Sequence, residues 1–279
     1  MSQIPWTDWG GDGPVLHLAH ANGFPPGAYA RLVESLLPRF HVVSMAQRPL
    51  WPGSDPRSLR DWNQLGRDLR DCLRHRGHEG IIGVGHSVGG ASTLIAAARD
   101  PGLFRGVVLL DPTILGGARA FFWSIAKALG QVHRVFVVRD ALNRRDRWAS
   151  RDEVRASWAA KPVFARLDPR CLGDYVQAGV VDHPEGGVTL RYSKAWEARV
   201  FATTPACSWD WARRLKTPAL VVRGALSDTF LPGVAARLGR LAPTARLLEL
   251  EGSGHLFPLE APERTAGVVT DFVDSLPPA

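Results

Sequence analysis

Short apolar runs alternate with amphipathic ones along the first 112 residues. PVLHLAH at 14–20 is a compact apolar run closed by polar residues and glycine, the pattern of a buried strand. GAYARLVESLLP at 27–38 places Leu32, Leu36 and Leu37 on one helical face and stops at a proline. HVVSMA at 41–46 reads as a strand, and RDWNQLGRDLRDCLRHR at 60–76 as a helix that turns Leu65, Leu69, Cys72 and Leu73 inward. IIGVGH, VGGASTLIAAARD and GVVLLDP at 106–112 repeat the strand, helix, strand order. Such alternation predicts parallel strands with helices on both faces, because each connection between parallel strands has to cross a face of the sheet.

The rhythm changes between about Thr113 and Leu215, where helix-like segments and loops replace strand-like runs. It resumes with TPALVVRG at 217–224, a helix around 232–241, ARLLELEG at 245–252 and a final helix from Pro262 to Leu276. The expected organisation is an α/β core, 1–112 and 216–279, interrupted by a mostly helical insertion at 113–215.

One serine sits between glycines where a strand pattern becomes a helix pattern. Gly85-His86-Ser87-Val88-Gly89 has the form G-x-S-x-G in the context that makes it informative. A serine hydroxyl needs a histidine base, itself oriented by a carboxylate, before it attacks a carbonyl. In chain order the acid precedes the histidine, which selects Asp228 in RGALSDTFLP and His255 in EGSGHLFPLE, each just beyond a strand. Asp111, at the end of GVVLLDP, is the rival acid, read otherwise as a carboxylate hydrogen-bonding near the serine turn. The amide of Val88, at a helix start, and that of Phe24, in His20-Ala21-Asn22-Gly23-Phe24-Pro25-Pro26, are the expected oxyanion donors. His86 points away from the hydroxyl by strand alternation and is assigned a packing or hydrogen-bonding role, and His17 and His20 a structural one.

These four segments resemble the α/β-hydrolase superfamily over nearly the whole chain: GHSVGG as nucleophile elbow, HANGFPP as oxyanion loop, RGALSDTFLP as acid loop and EGSGHLFPLE as histidine loop. The chain is similar to capped bacterial esterases, lipases and broad-range hydrolases. The resemblance implies a mostly parallel central sheet with a helical cap inserted after the sixth strand, covering the serine. Two departures stand out: His20 is followed by Ala21 where many relatives have glycine, and Gln47-Arg48-Pro49-Leu50-Trp51 replaces an Arg-Gly-x-Gly pattern. Asn22 becomes a candidate polar contact at the mouth of the site. Aspartate at the elbow, as in the dehalogenase and epoxide hydrolase branches, is absent.

Composition narrows the function further. The insertion holds six of the ten tryptophans, so an apolar acyl or alcohol pocket is expected, with Trp123 and Leu256 as candidate substrate contacts. The net charge of +7 comes from arginines scattered along the chain, and the densest patch, 139–155, also carries Asp140, Asp146, Asp152 and Glu153. That mixture reads as a salt-bridged solvated helix face rather than a nucleic-acid footprint. Cys72, Cys171 and Cys207 are odd in number and far apart, which excludes a disulfide framework and a zinc cluster and leaves buried small side chains. No apolar run approaches the roughly 20 residues of a membrane span, and MSQIPWTDWGGDGP lacks a signal-peptide pattern, so the expected location is cytoplasmic. The reading is a serine hydrolase of carboxylic esters, monomeric or homodimeric, acting on a small molecule without cofactor, metal, nucleic acid or membrane. Hydrolysis of lactones, thioesters, amides or C–C bonds uses the same constellation. A slow-turnover ligand-binding signalling protein is the rival from another class.

Overall fold

The computed structural model describes residues 4–277. Before the insertion come β1 (Trp6–Gly10), β2 (Val15–Ala19), α1 (Ala30–Leu36), β3 (His41–Met45), α2 (Trp62–His75), β4 (Ile81–His86), α3 (Val88–Arg99) and β5 (Phe104–Leu110). The insertion holds α4 (Gly117–Ala128), α5 (Phe136–Asn143), β6 (Arg147–Trp148), α6 (Arg151–Ala159), α7 (Pro169–Gly179), β7 (Val180–Asp182), β8 (Val188–Leu190), α8 (Lys194–Ala202) and α9 (Trp209–Arg214). The chain then returns through β9 (Ala219–Gly224), α10 (Pro232–Leu241), β10 (Ala245–Leu250), α11 (Phe257–Glu260) and α12 (Pro262–Asp274).

Seven strands form one sheet in the order β1-β3-β2-β4-β5-β9-β10. β1 pairs antiparallel with β3 and every other pair is parallel. Successive side chains of a strand face opposite sides, and the interior strand β5 shows the result. Val108 and Leu110 join a core with α1 and α12, while Val107 and Leu109 join another with α2, α3 and α10. The helices are placed by their own sequence signals. α2 is capped by the Asp61 carboxylate, which accepts from Gln64 N, and buries Leu65, Leu69, Cys72 and Leu73.

Register brings the functional loops level. Ala19 lies beside Gly85, His86 beside Leu110, and Leu110 beside Val222, so β2, β4, β5 and β9 end together along one edge. The loops carrying Phe24, Ser87, Asp111, Asp228 and His255 all leave from that edge.

Two expectations are corrected, the strand count before the insertion and the burial of all three cysteines. Five strands of the sheet precede the insertion instead of six, because the sheet begins with a single antiparallel strand, β1. Trp6-Thr7-Asp8-Trp9-Gly10 forms an edge strand of intermediate burial and carries no compact apolar run, so the pattern passed over it. The insertion, expected to be mostly helical, adds to its helices a small antiparallel sheet of β6, β8 and β7, from strands of two or three residues too short to show a period of two. Finally, Cys72 and Cys171 are buried but Cys207 is exposed.

Candidate active site

The turn between β4 and α3 carries Ser87 at φ 56° and ψ −119°. Positive φ is costly for a residue with a Cβ, about 1–3 kcal/mol, and among the described non-glycine residues only Ser87 and Asp111 adopt it. The neighbouring glycines make the turn possible. A Cβ on Gly85 would lie 2.5 Å from the Gly89 carbonyl oxygen, and one on Gly89 would collide with the carbonyl of Ala19. The serine hydroxyl is thereby lifted from the sheet edge, with Oγ 3.1 Å from His255 Nε2 and 3.0 Å from Thr113 Oγ1.

His255 Nδ1 is 2.6 Å from Oδ2 of Asp111. Asp111 is fully buried, and its carboxylate also accepts from Ser227 Oγ at 2.5 Å and from Gly224 N at 2.9 Å. The carboxylate beside the histidine is therefore Asp111, and the placement expected for Asp228 is corrected. Asp228 is exposed; Thr229 Oγ1 donates to its carboxylate at 3.4 Å, and its backbone carbonyl takes the Arg119 guanidinium. The cause lies in the loop after β9. The buried Arg223 guanidinium donates to the carbonyls of Phe230 (2.7 Å), Ala225 (3.1 Å) and Ser227 (3.2 Å), curling the loop so that Ser227 faces Asp111 and Asp228 faces solvent. A usable signal was present in GVVLLDP: a lone carboxylate ending a wholly apolar strand must find partners in the interior.

His86 faces away from the serine. Its Nε2 lies 2.9 Å from the His255 carbonyl oxygen, an acceptor only, so Nε2 carries the proton and donates. Nδ1 then accepts from Tyr29 Oη at 2.7 Å, and Tyr29 Oη accepts from Ala21 N at 3.0 Å. Burial pushes the His86 pKa well below its ordinary value, keeping this tautomer neutral. The row Ala21, Tyr29, His86, His255 joins the oxyanion loop to the histidine loop, and neither Tyr29 nor the row was evident in the sequence.

The loop after β2, expected from the sequence to supply an oxyanion donor, is gripped by the insertion. Gly23 adopts φ 79°, and its carbonyl accepts from Tyr175 Oη at 3.1 Å. The Asn22 amide donates to the Glu197 carbonyl at 3.1 Å, and the Glu197 carboxylate pairs with Arg144. Burial raises the pKa of Glu197, opposed by the Arg144 guanidinium. The Phe24 ring stacks on Tyr175 with centroids 4.4 Å apart. The Phe24 amide makes a long 3.3 Å bond to the Ala21 carbonyl, and Val88 N is the first amide of α3, which has no acceptor within its own helix.

A model of the alpha/beta hydrolase family matches residues 16–268. The chain belongs to that family. The 2-(acetamidomethylene)succinate hydrolase of Mesorhizobium japonicum is 25% identical over 272 residues, 95% of this chain and 90% of that protein. The crystal structure of E-2-(acetamidomethylene)succinate hydrolase superposes with a TM-score of 0.81 at 23% identity, covering 98% of this chain and 95% of that one. The enol-lactonase from Burkholderia xenovorans gives 0.69 at 19% identity, covering 98% and 96%. At such identities the superpositions speak to the fold.

Other residues of this hydrolase fall outside the reacting group. Trp123 belongs to packing within the insertion, against Val138, Ala141 and Ala198, with its indole N–H on the Thr204 carbonyl at 3.0 Å. Leu256 is part of the main core, and Asn22 is bonded to the insertion. Trp123 illustrates how a large side chain in a helical insertion fills its core. His17 and His20 are buried and neutral, their pKa pushed down by burial to about 3 and about 4, and their Nε2 atoms accept from Met45 N and Gln47 N. Among the described residues no cluster of His, Cys, Asp or Glu is placed to hold a metal ion. The 139–155 stretch spans α5, β6 and α6 instead of one helix, and Arg144, Arg145, Arg147 and Arg151 pair with Glu197, Glu153, Glu185 and Asp182.

Proposed function

We propose that this hydrolase cleaves carboxylic esters through an acyl-enzyme formed on Ser87. The carrying observation is the aligned row of Ser87 Oγ, His255 and the buried Asp111 carboxylate at 3.1 Å and 2.6 Å. Ser87 Oγ attacks the carbonyl carbon as His255 Nε2 takes its proton, and Asp111 holds Nδ1–H and stabilises the imidazolium. The negative oxygen is received by Val88 N and by Phe24 N, whose long bond to Ala21 is readily exchanged for it. His255 returns the proton to the leaving alcohol. It then activates water, which releases the acid. Thr113, 3.0 Å from Ser87 Oγ, fixes the hydroxyl rotamer before attack. Residues 113–215 act as the cap over this site, supplying its apolar walls.

A second reading, hydrolysis of an acyl-amide, is favoured by the full-length likeness to 2-(acetamidomethylene)succinate hydrolase. Initial rates on p-nitrophenyl esters of increasing acyl length, beside matched anilides, test both. Ester turnover that drops to background in Ser87→Ala supports the proposal. Turnover of anilides alone moves it to the amide class, and equal rates in wild type and variant remove Ser87 as nucleophile.

A further inference from the structure

We propose that the outward face of α4 docks on an anionic lipid surface. The helix is apolar on the side that faces water. At 100° per residue, Phe121, Phe122, Ile125 and Leu129 fall within an arc of about 100°, and they are 62%, 66%, 40% and 67% exposed, while Trp123 on the opposite side is buried. Phe136, at the start of α5, is 70% exposed with the Arg139 guanidinium 6.0 Å from its ring centroid. Six of the ten exposed large apolar side chains among the described residues lie on α4, its C-terminal end and α5.

The charges beside this face select its occupant. Arg119, Arg134 and Arg139 are exposed, and among the described residues none pairs with a carboxylate, whereas the arginines of the following stretch do. Asp140 is the single acidic residue from 117 to 145. A two-fold contact between copies would set these uncompensated cations against each other. An anionic bilayer accepts both groups, with aromatic and leucine side chains at the acyl boundary and guanidinium groups among the headgroups. The sequence assigned no membrane partner because no run spans a bilayer, and among the described residues no helix is long and apolar enough to cross one. A helix lying in the interface needs only an exposed apolar face. On the ester reading, docking has a further use. α4 begins four residues after Thr113, whose hydroxyl touches Ser87, so the catalytic edge approaches the surface where poorly soluble esters reside.

Flotation with vesicles of phosphatidylcholine alone, or mixed with phosphatidylglycerol, tests the docking without requiring turnover. Wild type and Ser87→Ala are expected to float with the mixed vesicles, less so at high salt. F121D/F122D and R134E/R139E should each lose roughly tenfold or more of the bound fraction while keeping the wild-type rate on soluble p-nitrophenyl acetate. No flotation of wild type, or flotation unchanged in both variants, overturns the proposal. So does a concentration-dependent dimer, dissociated by F121D/F122D, in a protein that ignores vesicles; the face then belongs to a second copy. Failure of the ester reading shows separately, as Ser87→Ala retaining full hydrolysis.

Discussion

Ser87 and Asp111 pay for their positions in backbone strain. Each ends one of two adjacent strands, and each is held in the left-handed region by its own amide, Ser87 N on the Leu110 carbonyl at 3.0 Å and Asp111 N on the Val222 carbonyl at 2.7 Å. Relief of that strain is measurable. Ser87→Gly should be more stable than Ser87→Ala by about 1 kcal/mol in urea denaturation, since only glycine occupies this region freely, and neither variant is expected to turn over substrate. The choice of acid is settled by kinetics. Asp111→Asn should lower kcat by about three to four orders of magnitude, whereas Asp228→Asn should leave it near wild type. Chain order could not choose between Asp111 and Asp228, since both lie between Ser87 and His255 and both follow strands, and order carries no information on which loop curls. The deciding residue, Arg223, is a buried cation whose three carbonyl partners exist only after folding.

At the scale of elements, the parallel core strands were legible as compact apolar runs, because both their faces are buried, and their helices by the period of their buried face. The misses share a cause: β1 and the three strands of the insertion are too exposed or too short for a period to form. Ser87 and His255 were legible as local motifs, while the grip of α7 and α8 on the oxyanion loop was not. That grip joins residues about 150 positions or more apart, Gly23 to Tyr175 and Asn22 to Glu197. Glu197→Ala keeps the backbone carbonyl that holds Asn22 but leaves Arg144 buried without its partner beside Tyr175, whose hydroxyl holds Gly23. Its kcat should fall about 10- to 100-fold, with a smaller change in KM than in kcat. An unchanged kcat would reduce the pair to a packing role.

For the whole molecule, the buried histidines set the acid limit. His17 and His20 have folded pKa values near 3 and 4, and that of His86 is also depressed, all below the unfolded value of about 6.5. A depressed histidine contributes full stability above the unfolded pKa. As pH falls below about 6.5 the unfolded chain takes protons that the folded one refuses, so stability declines until the folded pKa is reached. Between pH 7 and pH 5 His17 and His20 should each cost on the order of 2 kcal/mol, read as a drop in the urea midpoint, and His86 adds in the same direction. His20→Gln should flatten the slope if the variant folds. A midpoint indifferent to pH over this range would contradict the assignment.

The hydrogen-bonded row from Ala21 through Tyr29 and His86 to the His255 carbonyl bears on how this enzyme can be rebuilt. Its oxyanion and histidine loops are not interchangeable modules. A loop transplanted from a relative to alter selectivity brings its own length and carbonyl direction, yet it must still meet a phenol and an imidazole rooted in the recipient's scaffold. The workable unit of transplantation is both loops together with Tyr29 and His86, and a library that shuffles either loop alone will be filled mostly with misaligned sites.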